Sequence, residues 1–272
     1  MSDGITFLGT GGDSIVIGKQ LRASGGIVLE FEGNQFMLDP GPGCLVRARQ
    51  ADVNVRDTIA ILASHPSVYY SNDLNILIDS LSVSGLDVIG VLVGAKSVIE
   101  GTDTDLPVLK KELSGFVERA ITLEPGRKIS INNINIMPMK TTNPEYHSIG
   151  FIFETQKYRV GYTSLTGYSE EVADQYKNCD ILIIPCKNPT GVKEDGSMNS
   201  EDVAQFLRHT KPARAVLTGF GIKMIQANPM QEARDIQRDS KVEVVAATDG
   251  LVISPASFGS KVKHINLDSF GN

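Results

Sequence analysis

The chain has 272 residues, 41% hydrophobic and 21% charged, with a formal net charge of −6. Such a length supports a full core, and those fractions exclude a disordered chain. The acidic balance, with no Lys/Arg run, leaves no global electrostatic reason to bind nucleic acid or an anionic membrane.

The chain begins MSDGITFLGTGGD, with no basic segment followed by an apolar one, so no secretory signal is read there. The first third predicts strands at 5–8, 26–31 and 35–38, split by the Glu32-Gly33-Asn34 turn. A short helix at 44–50 and a buried strand at 59–63 follow. Leu74, Leu77, Ile78 and Leu81 place a helix over 72–81, and strand 86–94 and helix 106–117 come next. Antiparallel runs are expected at 129–131, 134–139, 149–154 and 158–162. The last third alternates: helix 169–177, strand 181–185, helix 200–209, strand 215–218, helix 229–239, strand 242–246. No apolar run is long enough to span a bilayer. No linker, repeat or low-complexity stretch divides the chain, so one domain over 1–272 is expected. Two mixed sheets packed face to face with helices outside, an α/β sandwich in four layers, would bury every apolar face.

Cys44, Cys179 and Cys186 are odd in number and make no CxxC pair, the usage of a reducing compartment. A cytoplasmic location is expected, with no membrane partner and no nucleic-acid partner. The Gly9-Thr10-Gly11-Gly12 run lacks the Lys-Ser/Thr of a phosphate loop and reads as a flexible turn before another strand region.

Loops at strand ends carry the chemistry. They are Leu38-Asp39-Pro40-Gly41-Pro42-Gly43, Ser64-His65-Pro66-Ser67-Val68-Tyr69-Tyr70-Ser71-Asn72-Asp73, His147-Ser148-Ile149-Gly150, Gly161-Tyr162-Thr163-Ser164-Leu165-Thr166-Gly167, and Leu217-Thr218-Gly219-Phe220-Gly221. In this order they resemble the metallo-β-lactamase superfamily, in the branch of the RNase Z-like phosphodiesterases. The resemblance runs over nearly the whole chain. It implies an αββα sandwich with a zinc centre along one edge of the two sheets, and hydrolysis as the activity.

The departures fall on the ligands. Where the family has His-x-His-x-Asp-His, this chain has His65, Ser67, Tyr69 and Tyr70. The family's next His corresponds to His147, its bridging Asp to Leu165, and its last His to Gly219. A further His common in the family corresponds to Ser197. Only His65 and His147 keep a ligand's chemistry. Zinc takes about four ligands and is neutralised in part by carboxylates, which two imidazoles do not supply. No metal is therefore expected, with His65 and His147 the sole weak candidates and zinc or another divalent ion reserved for the alternative reading. Tyr69 and Tyr70 could fill the vacated volume, though neutral phenols of pKa about 10 are poor zinc ligands.

The remaining residues have plain readings. Asp39 is expected to accept backbone N–H groups of its own Gly/Pro loop, and Asn72 and Asp73 to start a helix. His65 is expected to bond a loop backbone, and His147 to cap the loop before Ile149. Asp249-Gly250 reads as a turn, and His209 and His264 as solvated surface groups.

Two functions of different class remain. One is a metal-free pseudoenzyme that binds, as a homodimer or beside an active paralogue. The other is an unconventional hydrolase or phosphodiesterase with a reduced site on His65 and His147. A small-molecule ligand in the emptied edge is a third outcome.

Overall fold

The computed structural model describes residues 3–103, 106–143 and 147–258. Among these residues, fourteen strands form two seven-stranded sheets. The first contains β1 (Gly4–Phe7), β2 (Ile27–Phe31), β3 (Asn34–Leu38), β4 (Thr58–Ala63), β5 (Val91–Gly94) and β6 (Arg119–Thr122). The second contains β7 (Ile129–Ile131), β8 (Ile134–Lys140), β9 (Ile149–Glu154), β10 (Arg159–Tyr162), β11 (Ile181–Pro185), β12 (Arg214–Thr218) and β13 (Glu243–Ala246). β14 (Val252–Ile253) returns to the first sheet beside β1, giving the orders β14-β1-β2-β3-β4-β5-β6 and β13-β12-β11-β10-β9-β8-β7. Both sheets are mixed: β3 to β6 and β10 to β13 pair in parallel, the others antiparallel.

Alternation along the strands sorts side chains between two cores. Val160, Tyr162, Ile181 and Ile183 face the space between the sheets, whereas Leu182 and Ile184 face outward. Rings close the first core across the gap, with Phe31 edge-on to Phe153 and to Tyr158 at 5.9 and 5.5 Å. Outside the second sheet lie α6 (Glu170–Gln175), α7 (Ser200–Thr210) and α9 (Pro229–Ser240). The reason α7 starts where it does is a reciprocal cap: Asn199 accepts from the Asp202 N–H, and the Asp202 carboxylate accepts from the Asn199 N–H. Its Val203, Phe206 and Leu207 then bury one stripe. Outside the first sheet, α4 (Leu74–Ser82) buries Leu74, Leu77, Ile78 and Leu81, and α2 (Cys44–Gln50) lies at its amino end.

Several expectations are corrected. The helix over 106–117 is absent: its described part is loop with a 3₁₀ turn at Lys111–Leu113. Leu109, Leu113 and Val117 are all buried at four-residue spacing, but Pro107 and Gly115 do not sustain a helix. The strand expected over 86–94 pairs only from Val91, because Leu86 and Val88 project into solvent. The chain after Gly12 also turns into a short helix, α1 (Ser14–Gly18), rather than a strand, capped by the Asp13 carboxylate on the Val16 N–H. Three amides of the glycine run before it are already taken: Thr10 N–H goes to Asp249, Gly11 N–H to Ala23 and Gly12 N–H to Phe220.

Asp249 lies in the expected turn and does more than turn the chain. Its carboxylate accepts from Thr10 N–H, Thr10 Oγ1 and Ala23 N–H at 2.7–2.9 Å, pinning two loops beside β1. Thr10 is fully buried, so Asp249→Ala strands donors that water cannot reach. The expected loss is about 1–3 kcal/mol in urea unfolding; a change below about 0.5 kcal/mol, the size of an ordinary surface effect, would contradict this role.

Candidate functional site

Four of the predicted site residues, Asp39, His65, Tyr70 and Gly219, meet where the carboxyl ends of β3, β4, β10 and β12 converge. Asp39 follows β3, Ser64 and His65 follow β4, Tyr162 ends β10, and Gly219 follows β12. Asp39 is 1% exposed, and its hydrogen bonds run to other elements, not to its own Gly/Pro loop as expected. Oδ1 accepts from Ser64 N–H at 2.6 Å, and Oδ2 accepts from the Ser64 and Tyr162 hydroxyls, each at 2.6 Å. Ser164 then donates to Ser64 Oγ at 2.8 Å. This relay ties the first sheet to the second: Asp39 and Ser64 on one side, Tyr162 and Ser164 on the other.

Burial pushes the Asp39 carboxyl up to about 6, against the three hydrogen bonds that pull it down. Beside it, the fully buried His65 ring lies with Nδ1 2.7 Å from Ser64 Oγ. Because the one Ser64 hydroxyl proton goes to Asp39, the pattern assigns the proton on the ring to Nδ1. Burial lowers His65 to about 3, so it is neutral at ordinary pH. Its partner is thus a side-chain hydroxyl, where a backbone group was expected.

Tyr70 sits in α3 (Val68–Ser71), whose amides at Tyr70 and Ser71 bond the Ser67 carbonyl. Its ring packs on His65, centroids 4.8 Å apart, and its hydroxyl reaches Gly219. A Cβ at 219 would stand 2.6 Å from Tyr70 Oη, and Gly219 has φ +66°, a conformation glycine adopts without penalty. Tyrosine and glycine therefore fit only as a pair. What remains between them, Asp39, Tyr162 and Thr218 is a chamber of about 10 Å³.

The other predicted residues stand apart from this relay. Ser67 is buried and caps α3 through its carbonyl, and Tyr69 is half-buried, its carbonyl taking the Ser24 hydroxyl. Leu165 is half-buried, with its carbonyl accepting from Ser148 Oγ. Its neighbour Ser164, at φ +56°, is the residue of that loop that turns inward. His147 is exposed and lines an open groove of about 760 Å³ with Lys96, Glu100, Glu124 and Lys140. Ser197 is buried in the loop before α7. Asp73 does precede α4, but its carboxylate accepts from the Leu45 N–H and so caps α2. His209 is paired with Asp174 at 2.6 Å, not simply solvated, and His264 lies outside the described residues. Ser64, Tyr162 and Ser164 were not singled out from sequence; only their places in the loops that hold His65 and Leu165 pointed to them. All three cysteines are buried, with thiols pushed up by burial and Cys179 and Cys186 at about 12, so no nucleophile is available there.

The fit to zinc is poor on chemistry alone. Among the described residues no three His, Cys, Asp or Glu side chains gather into a group that could hold a metal. At the positions that the resemblance assigns to ligands stand a phenol pressed on a glycine, and an imidazole bonded to a serine. The residues do not fit the family's zinc centre.

Two seven-stranded mixed sheets with helices outside, and converging loops along one edge, define a metallo-β-lactamase-type sandwich. The chain belongs to the family described as the beta-lactamase superfamily domain, whose profile matches residues 34–220. The uncharacterized protein MJ1374 of Methanocaldococcus jannaschii is 27% identical over 92% of this chain and 94% of its own length. Ribonuclease Z of Methanopyrus kandleri is 26% identical over 48% of this chain and 43% of its own length, so that likeness covers under half of either protein. Among solved structures, the metallo-beta-lactamase fold protein YhfI of Bacillus subtilis superposes with a TM-score of 0.76. It is 18% identical, over 93% of this chain and 99% of that one, a likeness of fold. No helix of the described residues is long and apolar enough to cross a membrane.

Proposed function

We propose that the chain is a metal-free member of this hydrolase-like family, working by binding rather than by hydrolysis at the metal edge. The observation that carries this reading is the Tyr70–Gly219 pair, which takes up the edge and leaves a chamber of about 10 Å³. A paired-metal hydrolysis needs two ions about 3.5–4 Å apart and room for the bond being broken. Among the described residues, neither three grouped donors nor that volume is found beside Tyr70 and Gly219. The strands, caps and inter-sheet relay nevertheless remain built, as in a chain retained for its surface. Binding partners in this reading are a second copy, an active relative, or a small molecule in the groove beside His147.

The competing reading is a reduced hydrolase on His65 and His147. A phosphodiesterase screen of wild type and of the His65→Ala/His147→Ala variant, with and without chelator, separates the two. The expected result is no chelator-sensitive turnover in either. Turnover that needs metal and disappears in the variant would overturn the proposal.

A further inference from the structure

Tyr70 carries a buried hydroxyl with no hydrogen-bond partner among the described residues. Such a group costs about 1–3 kcal/mol if it stays unsatisfied, and phenylalanine would fill the same space without that cost. Tyr70 lines the 10 Å³ chamber together with Asp39, Gly25, Gly26 and Gly219, and its hydroxyl is the atom nearest to Gly219 on that side. That volume matches one water molecule, the smallest ligand a protein cavity holds, provided two or more polar groups face it.

We infer that this chamber is a binding site for a single water molecule, held between Tyr70 Oη and Asp39. The hydrogen-bond arithmetic selects water over an ion. Tyr70 needs an acceptor for its phenolic proton, and neither a metal cation nor ammonium can accept one. Asp39 Oδ1 takes one hydrogen bond, from Ser64 N–H, and so has a lone pair left for a donor. Water alone among ligands of this size accepts from the first and donates to the second. The inference rests on the metal-free reading of this edge and deepens it: the ligand held there is solvent, sealed behind residues 4% exposed or less at Tyr70 and Asp39. It also gives the Tyr70 hydroxyl a reason to exist.

A crystal structure of the wild-type chain at high resolution, with anomalous data collected at the zinc edge, tests this. The expected result is one density peak without anomalous signal, about 2.6–3.0 Å from both Tyr70 Oη and an Asp39 oxygen. In Tyr70→Phe the peak should be lost, and water relaxation dispersion in solution should lose one long-lived molecule relative to wild type. An empty chamber in the wild type would overturn the water site while leaving the metal-free reading intact. An anomalous peak with donors at about 2.0–2.3 Å would overturn both.

Discussion

Asp39→Ala is expected to lower the unfolding free energy by about 3–5 kcal/mol. The change strands the Ser64 N–H and the Ser64 and Tyr162 hydroxyls in a region sealed from solvent, and leaves a void between the sheets. Asp39→Asn keeps the shape and one acceptor and should cost much less, which makes it the variant for reading the charge. Asp39 is raised from 3.8 to about 6, so it contributes stability that is full below 3.8 and lost as pH rises through about 6. His65 is lowered from 6.5 to about 3, so its contribution is full above 6.5 and lost as pH falls through about 3. Between pH 4 and 6 the native state keeps a proton on Asp39 and the unfolded state keeps one on His65. The counts are equal and the two slopes cancel. Tyr70 and Tyr162 stay neutral throughout, since burial raises both phenols. In Asp39→Asn, stability relative to wild type should therefore climb with pH across this window, approaching about 1.4 kcal/mol per unit. In His65→Asn it should fall with a similar slope. Urea unfolding at pH 4, 5 and 6 measures both, and variant profiles parallel to wild type would refute the assignment.

The second large effect is at Gly219. Alanine there meets a left-handed backbone penalty of about 1–2 kcal/mol and an overpacking cost of about 1–3 kcal/mol against Tyr70. The expected total is about 2–5 kcal/mol, and histidine, the residue that the family resemblance implies at this position, should cost more. Tyr70→Phe removes the atom that a Cβ would strike and should recover the overpacking part but not the backbone part. A double-mutant cycle should give a coupling of about 1–2 kcal/mol. Zero coupling would mean that Tyr70 and Gly219 are not complementary. The same cycle explains why restoring ligands one at a time should not rebuild a metal centre: the tyrosine has to leave before the histidine can enter.

Much of the fold was legible from local pattern. The apolar run at Ile181–Pro185 and the stripe of Val203, Phe206 and Leu207 each state their structure within a few residues. The loops of the site were legible in the same way, because each follows a strand. What failed was pattern without a backbone to match. Leu109, Leu113 and Val117 repeat at a helical interval yet pack from an irregular segment. The site's internal contacts were also hidden, because they join residues far apart in the chain. Nothing near Gly219 announces Tyr70. Leu165 drew attention because the resemblance aligns it with a ligand, while Ser164 beside it makes the bond to Ser64.

Metal content of the purified protein tests the central claim most directly. Chain expressed with zinc, manganese and iron available should carry well below a tenth of an equivalent of any of them by elemental analysis, and excess chelator should leave its melting temperature unchanged. Close to one equivalent per chain, removed by chelator with a fall in melting temperature, would contradict the account.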